Sequence, residues 1–443
     1  MSERGKYHKK KLFQRDQSFG RGIFNNKSDS YGGSKYEKDS KDISADTKIK
    51  QPTILLKTRE PHDEAGASPK RNKKDSEPSV TLIPSVPKDP EPVAAPKIMT
   101  KSEKLLEDGV LCNESIQEYL QENNDFLVVG VIGTHGVGKS TIMNFLSQKS
   151  VTEEFKKSIF KNNINLSECE EFSDHSFAED DNEIFKVQSE SDLENNVNAT
   201  HGVDIFITSN RVILLDCQPF NSVAVLEDLI KHENKRTSLV SEFIPIENSG
   251  EIQGLQLAAF LMSVCHVLIV VQDWFFDCNV VRFLQSAEML KPTISNPEDE
   301  LTEHFPNLLL IHNKAQLEDF SPSKFKSMQK IYRELFSKTK LHIDTHMGLG
   351  TGRIINYLNP ESCGAPINLF LIPDIDPYTK LVYNGHPSIE ELFKKLKSNI
   401  LGSTRNALTH VQLTEKTWLV YCTKVWDTVK KSPFFVEYTK LMP

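Results

Sequence analysis

No two of the seven cysteines stand at C-x-x-C spacing, and none joins a histidine at metal-ligand spacing, so the sequence gives no zinc site. An odd, scattered set of thiols suits a reducing compartment. The first residues, Met1 to Lys6, contain no apolar h-region, so no secretory signal is expected and the protein is expected to be cytoplasmic. Long apolar runs are also missing. The longest tract, Leu255 to Val271, is broken by Gln256, Ser263 and His266, and a bilayer span needs about 20 mostly apolar residues. It reads as a buried helix feeding a buried strand, and no membrane association is expected. No internal repeat is evident.

Charge is unevenly spread along the 443 residues. The net charge is −8, yet residues 1–100 carry 21 Lys and Arg against 14 Asp and Glu, leaving the rest near −15. The first hundred residues are rich in Lys, Ser, Asp, Gly and Pro, and Pro84, Pro87, Pro90, Pro92 and Pro96 close the tract. Such a segment cannot bury enough apolar surface to offset chain entropy, so 1–100 is expected to be a disordered basic arm. It can serve as a solvated tail or touch RNA or an acidic partner; the sequence does not decide which.

Residues 101–125 read as a helical lead-in, from the spacing of Leu105, Leu106, Val110, Ile116 and Tyr119. From Phe126 to about residue 400, apolar strands alternate with helices. Strands are expected at Phe126–Ile132, Asp204–Thr208, Val212–Leu215, His266–Val271, Leu308–Ile311 and Asn368–Ile372, with an acidic insert at 151–198. Runs apolar on both faces, separated by helices, predict an α/β fold: a mostly parallel sheet flanked by helices, of the G-domain-like P-loop NTPase kind. Residues 401–443 form a helical extension in which Leu413, Trp418, Tyr421, Cys422, Val425, Trp426 and Val429 recur at helical spacing. That stripe fits a helix packed on its own core, and equally an anchor for a partner.

Gly133-Thr134-His135-Gly136-Val137-Gly138-Lys139-Ser140 matches G-x-x-x-x-G-K-S/T in full, between a strand and a helix. Glycines there let successive N–H groups face a phosphate, and the helix dipole adds attraction. Lys139 is the residue that reaches β and γ oxygens, and the Ser140 hydroxyl sits on Mg²⁺. Thr141 continues the phosphate-binding run. The expected cofactors are a purine nucleotide (GTP/GDP or ATP/ADP) and Mg²⁺.

The companion motifs are altered. The strand Val212-Ile213-Leu214-Leu215-Asp216 ends in a carboxylate suited to hold Mg²⁺ directly or through water. A GTPase continues Asp-x-x-Gly, whose glycine amide binds the γ-phosphate; here Pro219 stands in that place and has no N–H. The water-orienting glutamine that follows in many GTPases is Phe220. Thr200, in Asn198-Ala199-Thr200, is a candidate for the switch threonine that closes over Mg²⁺. In the base-reading element Asn-Lys-x-Asp, this chain keeps Asn313 and Lys314 but has Gln316 for the carboxylate, so base discrimination is expected to be weak or altered. These losses predict a nucleotide binder that is not an efficient NTPase.

Taken with these motifs, several stretches resemble the SMG-nine family of nonsense-mediated mRNA decay subunits. They are Val128 to Leu146, Gly202 to Thr208, Leu215 to Pro219, Cys265 to Trp274, Arg282 to Met289, Gly385 to Pro387 and Leu413 to Trp418. The likeness runs from Val128 to Pro443, with gaps at the acidic insert and at 340–366. The resemblance implies a G-domain-like fold that pairs with the SMG-eight subunit as a heterodimer. It also implies docking on the SMG-one kinase, which acts on the helicase Upf-one, and a role in restraining that kinase and recruiting it to mRNA surveillance complexes.

Two other activities use the same phosphate cradle. An active switch GTPase of the dynamin or septin type is opposed by Pro219 and Phe220. A small-molecule kinase needs arginines gathered over the transferred phosphoryl group. Arg211, Arg236, Arg282, Arg333, Arg353 and Arg405 are scattered.

Overall fold

The computed structural model describes residues 97–148, 183–231, 245–273, 275–292, 303–374 and 387–442. The basic arm up to residue 96, most of the acidic insert, and Trp274, Gly385 and His386 therefore lie outside the described residues.

Eight strands form one sheet in the order β2-β1-β4-β5-β3-β6-β7-β8. Largely buried, mostly apolar runs make its parallel part: β3 (Leu127–Gly133), β5 (Val212–Cys217), β6 (Val267–Gln272), β7 (Asn307–Ala315) and β8 (Leu369–Pro373). Strands covered on both faces have no polar side to offer, which is why these segments lack a period-two pattern. β4 (Val203–Ile207) runs antiparallel to β5, joined to it through a tight turn in which Arg211 takes φ +59°. A parallel core carrying one antiparallel strand beside β5 is the G-domain-like arrangement that the sequence predicts.

The lead-in is a correction. Residues 101–125 are not simply helical: β1 (Glu103–Glu107) and β2 (Val110–Leu111) form an antiparallel hairpin on the sheet edge, and only Asn113–Gln117 (α1) is helical. The turn is Asp108-Gly109, with φ of +46° and +75°, the two left-handed residues of a type I′ hairpin turn.

The sheet order places β3 centrally, with the chain returning on either side of it as β5 and β6. A crevice opens outside the carboxyl ends of strands at such a point. The helix α2 (Lys139–Ser147) starts there, directly after β3.

The Trp-bearing stripe lies on a helix, Glu415–Lys431, that packs against the helix Ile246–Val264. Trp418 and Trp426 are fully buried. The Trp418 indole N–H donates to Val264 O at 3.1 Å and the Tyr421 hydroxyl to Ser263 O at 3.1 Å, satisfying carbonyls at the end of that helix. The Trp426 indole donates to Gly109 O in the hairpin turn at 2.9 Å. Of the two readings of the stripe, the helix packed on its own core describes these side chains. At its start, Glu415 is fully buried and accepts from Arg211 Nε at 2.7 Å, Gln121 N–H at 2.9 Å and Asn123 Nδ2 at 3.0 Å.

Candidate nucleotide-binding site

The cleft at the carboxyl edge of the sheet has a volume of about 220 Å³. His135, Gly136, Gly138, Lys139, Ser140 and Thr141 line it on the side of the loop after β3, and Asn313 and Lys314 on the side of β7. Gly133, Thr134 and Val137 shape the loop behind this surface. Gly138 ends the turn with φ +91° as the residue before α2, and a Cβ there would stand 2.6 Å from Asn313 Nδ2. Only glycine combines that backbone with that proximity. Asn313 Nδ2 donates to Val137 O at 2.9 Å, so the β7 asparagine holds the phosphate loop from outside.

Lys139 is almost wholly buried, and its ammonium donates to Thr134 O at 2.8 Å. Burial pulls its pKa below the usual lysine value, with Asp216 opposing the shift. A desolvated cation facing a cleft is poised for an anion. His135 is also held below the ordinary histidine value, by burial first and then by Lys139.

The three candidate metal residues come together. Ser140 Oγ donates to Asp216 Oδ2 at 2.6 Å, and Thr200 Oγ1 donates to the same oxygen at 3.0 Å. The two hydroxyl oxygens are 3.4 Å apart. Burial drives the Asp216 carboxyl up to about 6, while the Ser140 hydrogen bond and Lys139 pull the other way. Its second oxygen, Oδ1, is buried with no hydrogen-bond partner among the described residues. A free carboxylate oxygen beside two hydroxyls is an oxygen-only donor set that suits a hard cation such as Mg²⁺. These residues fit the ion; Ser140, Thr200 and Asp216 would hold it, and it would supply charge neutralisation to a polyphosphate.

The altered motifs also have defined places. Pro219 lines the cleft. Phe220 turns away from it, buried and stacked on Phe283 with ring centroids 4.0 Å apart and planes at 6°. Gln218 is occupied too: its Oε1 accepts from Gly202 N–H at 2.7 Å, and its own N–H donates to Gly202 O at 2.8 Å. It does not reach toward the phosphate side, so it does not replace the missing glutamine. Gly202 is pinned from its other side as well, since a Cβ there would lie 1.9 Å from Leu106 O of β1.

On the base side, Lys314 adopts φ +54° and its ammonium lies 4.0 Å from Asp273 Oδ2. Gln316 is exposed and stands outside the residues lining the cleft. Asp319 is spent locally, accepting from Gln316 N–H at 2.9 Å.

Among the lining residues that sequence reasoning missed are Gln188, Asn198, Asp374 and Phe393. Phe393 stacks on Phe145 at 4.2 Å, flooring the cleft. Asp374 had a signal, as the first polar residue after the apolar strand β8. Gln188 had none, because it sits in the aperiodic insert and acts through contacts with His135 and Val197 O.

No protein-family model matches the chain. It is 35% identical over 373 residues to a nonsense-mediated mRNA decay factor SMG9 of Xenopus tropicalis, a match spanning 78% of this chain and 68% of that one. The factor of the same name in Salmo salar is 34% identical over 372 residues, with the same shares of the two chains. Protein SMG9 of Drosophila melanogaster is 24% identical over 328 residues, 73% of this chain and 57% of that one. Among solved structures, the Ski7 GTPase-like domain of S. cerevisiae, bound to GDP and inorganic phosphate, aligns over 62% of this chain and 50% of that one. Its identity is 14% and its TM-score 0.28, so the fold assignment here stands on the sheet topology. The chain belongs to the SMG9 family of nonsense-mediated mRNA decay factors.

Proposed function

We propose that this chain is a nucleotide-binding scaffold of mRNA surveillance, which holds a purine nucleotide with Mg²⁺ as part of its folded state and does not turn it over efficiently. One observation carries the reading. Ser140, Thr200 and Asp216 are gathered at 2.6 and 3.0 Å beside a complete phosphate loop, while Pro219, Phe220 and Gln218 provide neither a γ-phosphate amide nor a group to orient water. Bound nucleotide then acts as a ligand of the native state and stabilises it by mass action. Family membership supports the remaining parts: pairing with the SMG-eight subunit, docking of that pair on the SMG-one kinase, and restraint and recruitment of the kinase that acts on Upf-one in the cytoplasm. Three experiments test this. Purified protein is denatured and the released nucleotide identified by mass spectrometry, and turnover is followed with GTP and ATP. Stoichiometric nucleotide with turnover far below about 1 s⁻¹ is expected, whereas turnover near the ordinary enzyme range establishes an active switch GTPase instead. Recovery from cell extract should bring a large kinase and a second G-like subunit, and their absence counts against the assembly.

A further inference from the structure

Asn198 stands inside the cleft, two residues before Thr200. It lines the same volume as Lys139, Ser140, Thr200 and Pro219, and its side chain is 3% exposed. Its Nδ2 is sealed and has no hydrogen-bond partner among the described residues. Ser222 Oγ lies 3.5 Å from its Oδ1, a long contact on the other end of the amide. Buried donors are nearly always paired, because the desolvated N–H has lost water and gained nothing in return.

Among the described residues, Asp216 Oδ1 is an acceptor with no donor and Asn198 Nδ2 a donor with no acceptor. A metal–polyphosphate satisfies both, with a cation for the carboxylate and an anionic oxygen for the amide. The chain needs such a donor, because Pro219 has no N–H to give where the Asp-x-x-Gly glycine gives one. The loop carrying Asn198 is also held in place, by Thr200 on Asp216 and by the paired bonds between Gly202 and Gln218. The backbone beside Asn198 is thus fixed, and a local shift of its side chain brings the buried Nδ2 to the cleft.

We infer that the Asn198 side-chain amide donates to the terminal phosphate of a bound nucleoside triphosphate, standing in for the main-chain N–H that Pro219 removed. This rests on the reading of the cleft as a nucleotide site. The selectivity that follows is for phosphate number, independent of the base: Asn198 favours triphosphate over diphosphate.

The test is calorimetric binding of ATP and ADP, and of GTP and GDP, with Mg²⁺, to nucleotide-stripped full-length protein. Asn198→Ala is expected to weaken triphosphate binding about tenfold or more, as for a lost hydrogen bond to a charged group, and to leave diphosphate binding within about twofold. Asn198→Asp should weaken the triphosphate further, by placing a carboxylate against it. Ser222→Ala, which frees the amide to rotate, should give a smaller loss of the same kind and covers the case in which Asn198→Ala does not fold. Equal losses for both nucleotides, or no loss, overturn the inference while leaving the nucleotide site intact. Failure of the unmodified protein to bind either pair overturns the site itself.

Discussion

The two ends of the cleft have fared differently. At the phosphate end, the glycines and Lys139 are all present, and Ser140, Thr200 and Asp216 are in mutual contact. At the base and switch end, Gln316 stands outside the lining, Phe220 packs into the core and Gln218 is tied to Gly202. The first set suits holding a polyphosphate; in a GTPase the second chooses a base and supports cleavage of the γ-phosphate. Holding depends on main-chain geometry and one buried cation, which a scaffold retains if the ligand stabilises it. Cleavage needs added groups that here have become packing residues.

That contrast can be broken or sharpened by variants, and the largest effect lies outside the cleft. Glu415→Ala leaves Arg211 partly buried without its counter-charge and should cost about 3–5 kcal/mol in chemical denaturation, a change that nucleotide does not rescue. The same loss reversed by nucleotide would mean that the C-terminal helix belongs to the ligand site. Next, Lys139→Ala should weaken nucleotide binding about a hundredfold, at the upper end for hydrogen bonds to charged groups. In thermal melts without ligand the same variant should be no less stable than the unmodified protein, because a desolvated ammonium has been removed.

A third effect is set by pH. The folded Asp216 carboxyl sits at about 6, above its ordinary 3.8. In the ion-free fold this group's stability contribution is therefore present at low pH and lost as pH rises through 6. The metal–nucleotide complex requires the ionised form, so the rise in Tm given by Mg²⁺ and nucleotide should shrink as pH falls from 7.5 to 5.5. His266 and His304, held by burial at about 3 and about 4, act in the opposite sense. Their contribution is kept above the ordinary 6.5 and lost as pH falls, with or without ligand, so the difference between paired melts removes it and leaves the groups of the cleft. The smallest effect is expected at Gln316→Ala, which should change the ratio of guanine to adenine nucleotide affinity less than about twofold; a larger change would return that residue to the base site.

Much of this was legible because the phosphate end is a local motif. Strand, glycine turn and helix are consecutive, and Asp216 and Asn313 close apolar strands, so pattern alone located them. The β1–β2 hairpin was misread because Leu105, Leu106 and Val110 fit a helical stripe as well as a strand. The Asp108-Gly109 pair that marks the turn was nevertheless there to be weighed. Asn198 and Gln188 could not be found by pattern, because their roles arise from contacts between segments distant in sequence. Whether the Trp418 and Trp426 stripe faced inward or outward depended on acceptors at Val264 and Gly109, which no periodicity reveals.

The tie between the last long helix and the hairpin bears on how the protein can be handled. A recombinant piece stopped after Leu401 would uncover the apolar flank of the helix ending at Val264, strip the carbonyls of Ser263, Val264 and Gly109 of their donors and strand Arg211. It should therefore be recovered as aggregate even though every residue lining the cleft is still aboard. Affinity handles belong beyond residue 442, and the shortest useful fragment has to begin ahead of Met99, whose sulfur accepts from Ile207 N–H on the sheet's outer half.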